Sequence, residues 1–115
     1  MDVIKKKYRV KSEYDFQKVF HEGKSVANRQ LVLYVFTKPD QKHFRVGISV
    51  GKKIGNAVKR NQVKRYIRQA LLELEDQIDQ ELDFLLIARP DIRDKNMEQV
   101  KHSIIHVMKL AKIIK

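Results

Sequence analysis

The feature that most constrains this chain is a long segment, from Gln41 to Leu72, that contains no Asp or Glu. Its cations are Lys42, Arg45, Lys52, Lys53, Lys59, Arg60, Lys64, Arg65 and Arg68. Residues 1–68 carry 18 Lys and Arg against 5 Asp and Glu, a net charge of +13, whereas residues 69–115 have a net charge of −2. Charge that only kept a protein soluble would be mixed along the chain. The segregation predicts a fold with one strongly basic face, which would bind phosphate-rich polyanions.

Composition narrows the class of protein further. The 115 residues fit a single domain, which we expect to span residues 1–115 with a basic N-terminal tail at residues 1–11. Cys is absent, which excludes disulfides, zinc–thiolate sites and a Cys nucleophile. No apolar run approaches the about 20 residues that span a bilayer, and residues 1–11 lack the apolar core of a signal peptide. We therefore expect a soluble, cytoplasmic protein with no membrane partner.

Local patterns predict seven elements in the order α-β-β-β-α-β-α. The predicted helices cover residues 13–21, 57–74 and 96–113, and the predicted strands cover residues 25–28, 30–36, 43–50 and 83–88. Ser12 and Asn56 are suitable N-caps for the first two helices, and Gly23 ends the first. The run at 30–36 is mostly apolar, as in a strand buried on both faces, and we expect it to pair with 43–50 as an antiparallel hairpin. The predicted fold is α+β, a single-domain sandwich of helices on one central four-stranded sheet.

The helix predicted at 57–74 separates charge from apolar residues. At about 100° per residue, one sector of roughly 140° holds Arg60, Asn61, Lys64, Arg65 and Arg68. The apolar residues fall mostly on the opposite sector: Val63, Tyr66, Ile67, Ala70, Leu71 and Leu74. No carboxylate accompanies these cations, although like charges at i and i+4 repel each other. An external anion would compensate that repulsion, which favours nucleic acid over a merely solvated face.

This helix carries a resemblance to a known family. The matching segments are GNA at residues 55–57 with KRNQVKRYIR at 59–68, RVK at 9–11 with Asp15 and Phe16, and VGISV at 46–50 with Lys52 and Lys53. The longest of them resembles the Arg-Asn-Arg signature of the protein subunit of bacterial ribonuclease P. The resemblance extends over nearly the whole chain and agrees with its length, basicity and element order.

The resemblance implies a fold, a reaction and two binding surfaces. The fold is a ribosomal-protein-like α/β sandwich with a left-handed β-α-β crossover. The RNA subunit is the catalyst, cleaving the 5′ leader from precursor tRNA with Mg²⁺, so the protein needs no catalytic or metal-binding residue and no organic cofactor. The residues implied to bind the RNA subunit are Lys52, Lys53, Asn56, Lys59, Arg60, Asn61, Lys64, Arg65 and Arg68. Precursor tRNA is the second partner, and no obligatory protein partner is expected.

A cleft between the first helix and the sheet is implied to bind the leader. Phe16 and Phe20 are one helical turn apart, and Tyr34 lies on the neighbouring predicted strand. Aromatic side chains hold single-stranded RNA by stacking on its bases, although Phe residues at i and i+4 are equally typical of a protein core. The residues that we expect to flank this groove are Lys18, Arg45 and Ser49.

Two other classes of protein share part of this pattern. A structural ribosomal protein would have the same charge distribution and fold, but would not need an aromatic cleft for single-stranded RNA. A metal-dependent nuclease would need clustered carboxylates on the basic face, and the sequence shows none there. The leading interpretation is therefore an RNA-binding cofactor of a ribozyme.

Overall fold

The computed structural model describes residues 9, 10 and 12–114, and the predicted order of elements is confirmed. The helices are α1 (Glu13–Glu22), α2 (Ala57–Leu74) and α3 (Met97–Leu110). The strands are β1 (Lys24–Ala27), β2 (Leu31–Thr37), β3 (Arg45–Ser49) and β4 (Leu82–Ala88). Short 3-10 turns occur at Lys52–Ile54, Glu75–Gln77 and Pro90–Asp94. Most of the basic tail at residues 1–11 lies outside the described residues.

The helices begin where side chains can satisfy free backbone N–H groups. The Ser12 hydroxyl accepts a hydrogen bond from the Asp15 N–H at 3.0 Å, and the Asn56 carbonyl oxygen accepts one from the Lys59 N–H at 2.9 Å. The predicted end of the last helix at residue 113 is wrong. Lys112 adopts a left-handed conformation (φ 61°), which stops α3 and turns the buried Ile113 back onto the core.

The sheet corrects two predictions about its strands. Its order is β1-β2-β4-β3, so β4 separates β2 from β3 and the predicted hairpin between them is wrong. β2 pairs with β4 antiparallel, whereas β3 pairs with β4 in parallel through the crossover that α2 provides. The strand buried on both faces is β4, in which every residue from Leu82 to Leu86 is buried, and not β2. β4 is buried on both faces because it is an interior strand and helices cover the sheet on both sides of it.

The two faces of the sheet are covered very differently. Helices α2 and α3 cover one face, and their contacts with each other and with the sheet form the main core. Among the elements of the described residues, the ten-residue α1 alone covers the other face. That face carries three rows of neighbouring residues, namely Phe36–Asp83–Arg45, Tyr34–Leu85–Gly47 and Val32–Ile87–Ser49. Because α1 is short, part of this face stays open.

The N-terminal segment reaches the free edge of β3. Arg9 forms a parallel bridge with Val46, and the Val10 N–H donates to the Val46 carbonyl oxygen at 2.9 Å. The chain therefore enters the fold beside the sheet edge that lies next to α1. Across the described ranges, no helix is both long enough and apolar enough to cross a membrane.

Candidate nucleic-acid interface

The polar face of α2 has the arrangement that its periodicity predicts. Val63, Ile67, Ala70, Leu71 and Leu74 are buried, whereas Asn61 and Arg65 are exposed. Arg60, Lys64 and Arg68 are partly exposed along the same side. Within the part of the chain that the structure describes, no carboxylate lies within 4.0 Å of Arg60, Lys64 or Arg65. At Arg60, Lys64 and Arg65, this face therefore carries cations that no described carboxylate neutralises.

The turn before α2 extends this row. Lys52 and Lys53 are exposed on a 3-10 turn that the buried Ile54 anchors in the core. Gly55 follows at φ 151°, a backbone conformation that L side chains rarely adopt, and lets Asn56 cap the helix. We call these residues together the basic surface: Lys52, Lys53, Asn56, Lys59, Arg60, Asn61, Lys64, Arg65 and Arg68.

Arg93 joins the basic surface from the net acidic part of the chain. It lies on the 3-10 turn after β4, where the fully buried Ile92 fixes the backbone. With Asn56, Lys59 and Gln62 it lines a concavity of about 350 Å³ at the start of α2. Sequence reasoning missed Arg93, because no local pattern relates it to residues more than 30 positions earlier.

The three predicted aromatic residues meet on the open face of the sheet. The rings of Phe20 and Tyr34 pack with centroids 4.9 Å apart at 31°, and Phe20 remains 40% exposed. Phe16 lies over Gly47, where an added Cβ would be 3.3 Å from two of its ring atoms. Phe16 of α1 and Tyr34 of β2 are each partly buried and partly exposed. With Phe20 they border a space between α1 and the sheet. We call this space the aromatic cleft.

The floor of the aromatic cleft includes residues that sequence reasoning missed. Val32 and Ile87 are partly exposed neighbours in the outermost described row, and Ser49, a predicted site residue, completes it. A two-residue periodicity in β2 and β4 would have placed Val32 and Ile87 on this face once the pairing was known. Lys18 lies at the other end, with its Nζ 5.5 Å from the Phe36 ring centroid and 5.9 Å from that of Tyr14.

Arg45, predicted to flank the cleft, is held by two carboxylates. Its Nε and Nη2 donate to Asp83 at 2.9 and 2.6 Å, and its Nη1 lies 3.4 Å from Asp15 on α1. The hydrogen bonds that Arg45 donates to Asp83 raise the pKa of Arg45 above its ordinary value, and Asp15 adds to this. The hydrogen bond with Ser12, followed by the charge of Arg45, lowers the pKa of Asp15 below 3.8.

The basic surface and the aromatic cleft are continuous around the edge of β3. A cavity of about 200 Å³ is lined by Arg68 of α2, Phe16 of α1, Gly47 of β3 and Arg9 of the N-terminal segment. A single polyanion could therefore pass from one surface to the other without crossing an acidic region at this junction.

Comparison with known proteins decides the family. Residues 4–112 match the family Ribonuclease P. The chain belongs to the ribonuclease P protein family. This family supplies the protein component of ribonuclease P, the endoribonuclease that processes the 5′ ends of tRNA.

Individual ribonuclease P proteins agree in sequence and in fold. The ribonuclease P protein component of Ligilactobacillus salivarius is 61% identical over 111 residues, which cover 96% of this chain and 98% of that protein. The solved structure of the Staphylococcus aureus RNase P protein is 44% identical and superposes with a TM-score of 0.87, covering 94% of this chain and 98% of that one. The Thermotoga maritima RNase P protein, at 26% identity, still gives a TM-score of 0.80 over 89% of this chain and 96% of that one.

Side chains that could ligate a metal ion are not clustered in the described part of this chain. Among residues 9, 10 and 12–114, no three His, Cys, Asp or Glu side chains lie close enough to hold one together. His102 and His106 are exposed one turn apart on α3, and His106 Nδ1 lies 3.3 Å from the side-chain amide of Asn28. These histidines sit on α3, which packs against the sheet face opposite the aromatic cleft.

Proposed function

We propose that this chain binds the catalytic RNA subunit of ribonuclease P through its basic surface and the 5′ leader of precursor tRNA through its aromatic cleft. The observation that carries this assignment is the continuity of the two surfaces around the β3 edge, where Arg68 and Phe16 line one cavity. Partnership with RNA follows from the family, and the division of labour between the two surfaces is our inference.

The basic surface suits a structured RNA because an anchored helix holds most of its cations, and no carboxylate of the described residues lies within 4.0 Å of Arg60, Lys64 or Arg65. α2 is anchored by five buried apolar residues, so its outer side chains keep a constant spacing along 18 residues. Arg65 can bind phosphate oxygens with two N–H groups, and Asn61 can donate to or accept from a base edge or a ribose 2′-OH. Arg93 adds a cation from a second element, which broadens the surface beyond one helix.

The aromatic cleft suits a single strand because its floor has partly exposed apolar side chains and its wall is aromatic. The partly exposed Val32 and Ile87 offer contact area for bases, and Phe20 offers an exposed ring. Stacking of a base on an aromatic side chain contributes about 1–3 kcal/mol and tolerates any base. A leader of variable sequence is the part of precursor tRNA that needs such recognition.

The chemistry of cleavage is assigned to the RNA. We propose that Mg²⁺ is held by the RNA subunit, which is supported by the scarcity of carboxylate clusters in the described part of this chain. The protein would act in the cytoplasm, where it would position substrate and neutralise phosphates without an organic cofactor.

The test is to measure cleavage and binding of precursor tRNA by the protein alone, by the RNA subunit alone and by both. We expect no cleavage by the protein alone, and tighter binding of leader-bearing substrate when protein is added to the RNA subunit. The affinity for a matched tRNA without a leader should increase little when protein is added. Equal gains for both substrates would favour a structural, ribosomal-type RNA-binding role, and cleavage by the protein alone would contradict the cofactor assignment.

A further inference from the structure

The charged cluster at the closed end of the aromatic cleft holds Arg45 between two elements. Asp83 in the central strand is only 1% exposed, and the Arg45 guanidinium binds both of its oxygens. The same guanidinium reaches Asp15 in the first turn of α1 at 3.4 Å. Lys38 lies 3.7 Å from Asp83. Arg45 therefore links the middle of the sheet to the start of the helix that covers it.

Among the described residues, the charges in this cluster balance. Two carboxylates, Asp83 and Asp15, face two cations, Arg45 and Lys38. A leader phosphate that approached Arg45 would have to displace Asp15 and would meet the negative charge of the buried Asp83. Bidentate pairing with a buried carboxylate also fixes the plane of the guanidinium. This arrangement suits a structural link better than a phosphate contact.

The remaining contacts of α1 explain why such a link matters. Beyond its first turn, α1 is held by the buried Val19, by Phe16 over Gly47 and by Phe20 against Tyr34. Phe20 is on the last turn and is exposed, so it restrains α1 only weakly. The link between Arg45 and Asp15 fixes the first turn, and a tilt of the helix there would move both Phe rings relative to the cleft floor.

We propose that Arg45 is a positioning residue: by tying Asp15 of α1 to Asp83 of the sheet, it sets the width of the aromatic cleft and thereby the affinity for the leader. This inference rests on the proposed function, because it assigns a cause to the leader affinity of the same cleft. It replaces the expectation that Arg45 itself touches the leader.

The decisive variant is Asp15→Asn, because the two roles of Arg45 predict opposite effects. The assay uses the protein assembled with the RNA subunit and compares the affinities for precursor tRNA with and without its leader. If Arg45 positions α1, Asp15→Asn weakens the leader contribution by about three- to tenfold, as for coupled contacts. If Arg45 binds a leader phosphate, Asp15→Asn frees the guanidinium, and leader affinity stays the same or rises, which would overturn the proposal.

A matched control separates the loss of the Asp15–Arg45 link from the loss of one negative charge on α1. Glu13→Gln removes one negative charge from the same turn of α1, but Glu13 accepts only from Gln17 and does not reach Arg45. We expect its leader affinity to match that of the wild type. A loss equal to that of Asp15→Asn would mean that general electrostatics, and not the link, is responsible, and the proposal would fall.

Arg45→Lys provides the second arm. Lys keeps the charge but cannot bind both oxygens of Asp83 and reach Asp15. The proposal predicts that Arg45→Lys weakens leader affinity as much as Asp15→Asn, and that the double variant is no weaker than the worse single one. Retained affinity in Arg45→Lys would contradict it. Binding of the RNA subunit, unchanged in every variant, shows that the proteins are folded.

Binding by the wild-type protein distinguishes failure of the proposed function from failure of the positioning role of Arg45. If the wild type binds leader-bearing and leaderless tRNA equally, the proposed function fails, and the positioning role fails with it. If the wild type prefers the leader but Asp15→Asn behaves like Glu13→Gln, only the positioning role is wrong.

Discussion

Gly47 lies under α1, beneath the ring of Phe16. A Cβ added there would be 2.6 Å from Leu85 Cδ2 and 3.3 Å from two ring atoms of Phe16. Leu85 is fully buried beneath α1, so its methyl group cannot move aside into solvent. We predict that Gly47→Ala pushes α1 away from β3 and widens the aromatic cleft.

The cost of this substitution follows from the crowding. One extra methyl group in a well-packed interior destabilises a protein by about 1–3 kcal/mol. For a domain of this size, that corresponds to a fall in melting temperature of about 5–15 °C. Displacing Phe16 should also remove about 1 kcal/mol of stacking, a loss of about fivefold in leader affinity. Affinity for the RNA subunit should not change, because a Cβ at Gly47 meets Leu85 and Phe16 and no residue of the basic surface.

Gly51→Ala is the matched control. Nothing lies within 4 Å of a Cβ at Gly51, and its φ of −80° is open to any residue. Alanine there should be neutral or stabilise the protein by about 0.4–1 kcal/mol through the unfolded state. The measurements are thermal unfolding of each variant and the affinity of each assembled holoenzyme for tRNA with and without a leader.

Two results would refute this reasoning. If Gly47→Ala unfolds at the same temperature as Gly51→Ala, the space under α1 is not tight. If it is destabilised but keeps the full leader contribution, the position of α1 does not control the cleft. A double variant sharpens the test: Leu85→Val removes the nearest atom and should recover part of the stability that Gly47→Ala loses.

Further predictions concern the two surfaces and the charge of α1. Arg65→Ala and Arg93→Ala should each flatten the dependence of RNA-subunit affinity on log salt by about 0.9, measured by titration at several salt concentrations, and an unchanged slope for either would remove it from the interface. Phe20→Ala should weaken the binding of precursor tRNA more than the binding of mature tRNA. The unfolding temperature should change little, since the ring is exposed. The lowered pKa of Asp15 means that its charged form stabilises the fold above about pH 4, a contribution lost as pH falls through the folded pKa. Urea unfolding of Asp15→Asn should therefore differ from wild type at pH 7 and approach it as the pH falls below the folded pKa of Asp15.

The elements of this fold are readable from the sequence because their signals are local. Ser12 and Asn56 cap helices at the predicted positions, and α2 has the predicted bounds Ala57–Leu74. Strand pairing is not local. Adjacent strands in sequence usually pair, which favoured a hairpin of β2 with β3. The parallel pairing of β3 with β4 depends instead on α2 crossing the sheet, which no pattern within either strand indicates.

In the candidate site too, local features could be predicted from the sequence and tertiary contacts could not. The face of α2 could be predicted because side chains at i, i+3 and i+4 are neighbours on any helix. The partners of Arg45 could not, since Asp83 and Asp15 are 38 and 30 residues away in sequence. The placement of Arg93 beside Lys59 is likewise a tertiary contact. Whether Phe16, Phe20 and Tyr34 bind the leader stays a prediction that the proposed measurements test.

The charge segregation along the chain is therefore only a first approximation to the basic surface. Arg45 belongs to the segment without acids but is neutralised by Asp83 and Asp15, whereas Arg93 belongs to the net acidic part and joins the cations of α2. The surface then holds eight cations: Lys52, Lys53, Lys59, Arg60, Lys64, Arg65, Arg68 and Arg93. If each met one phosphate, the logarithm of RNA-subunit affinity would fall with log salt at a slope of about −7 at most. A steeper measured slope would require cations outside this surface, and the basic tail at residues 1–11 is the first place to look for them, because Lys5, Lys6 and Lys7 lie there.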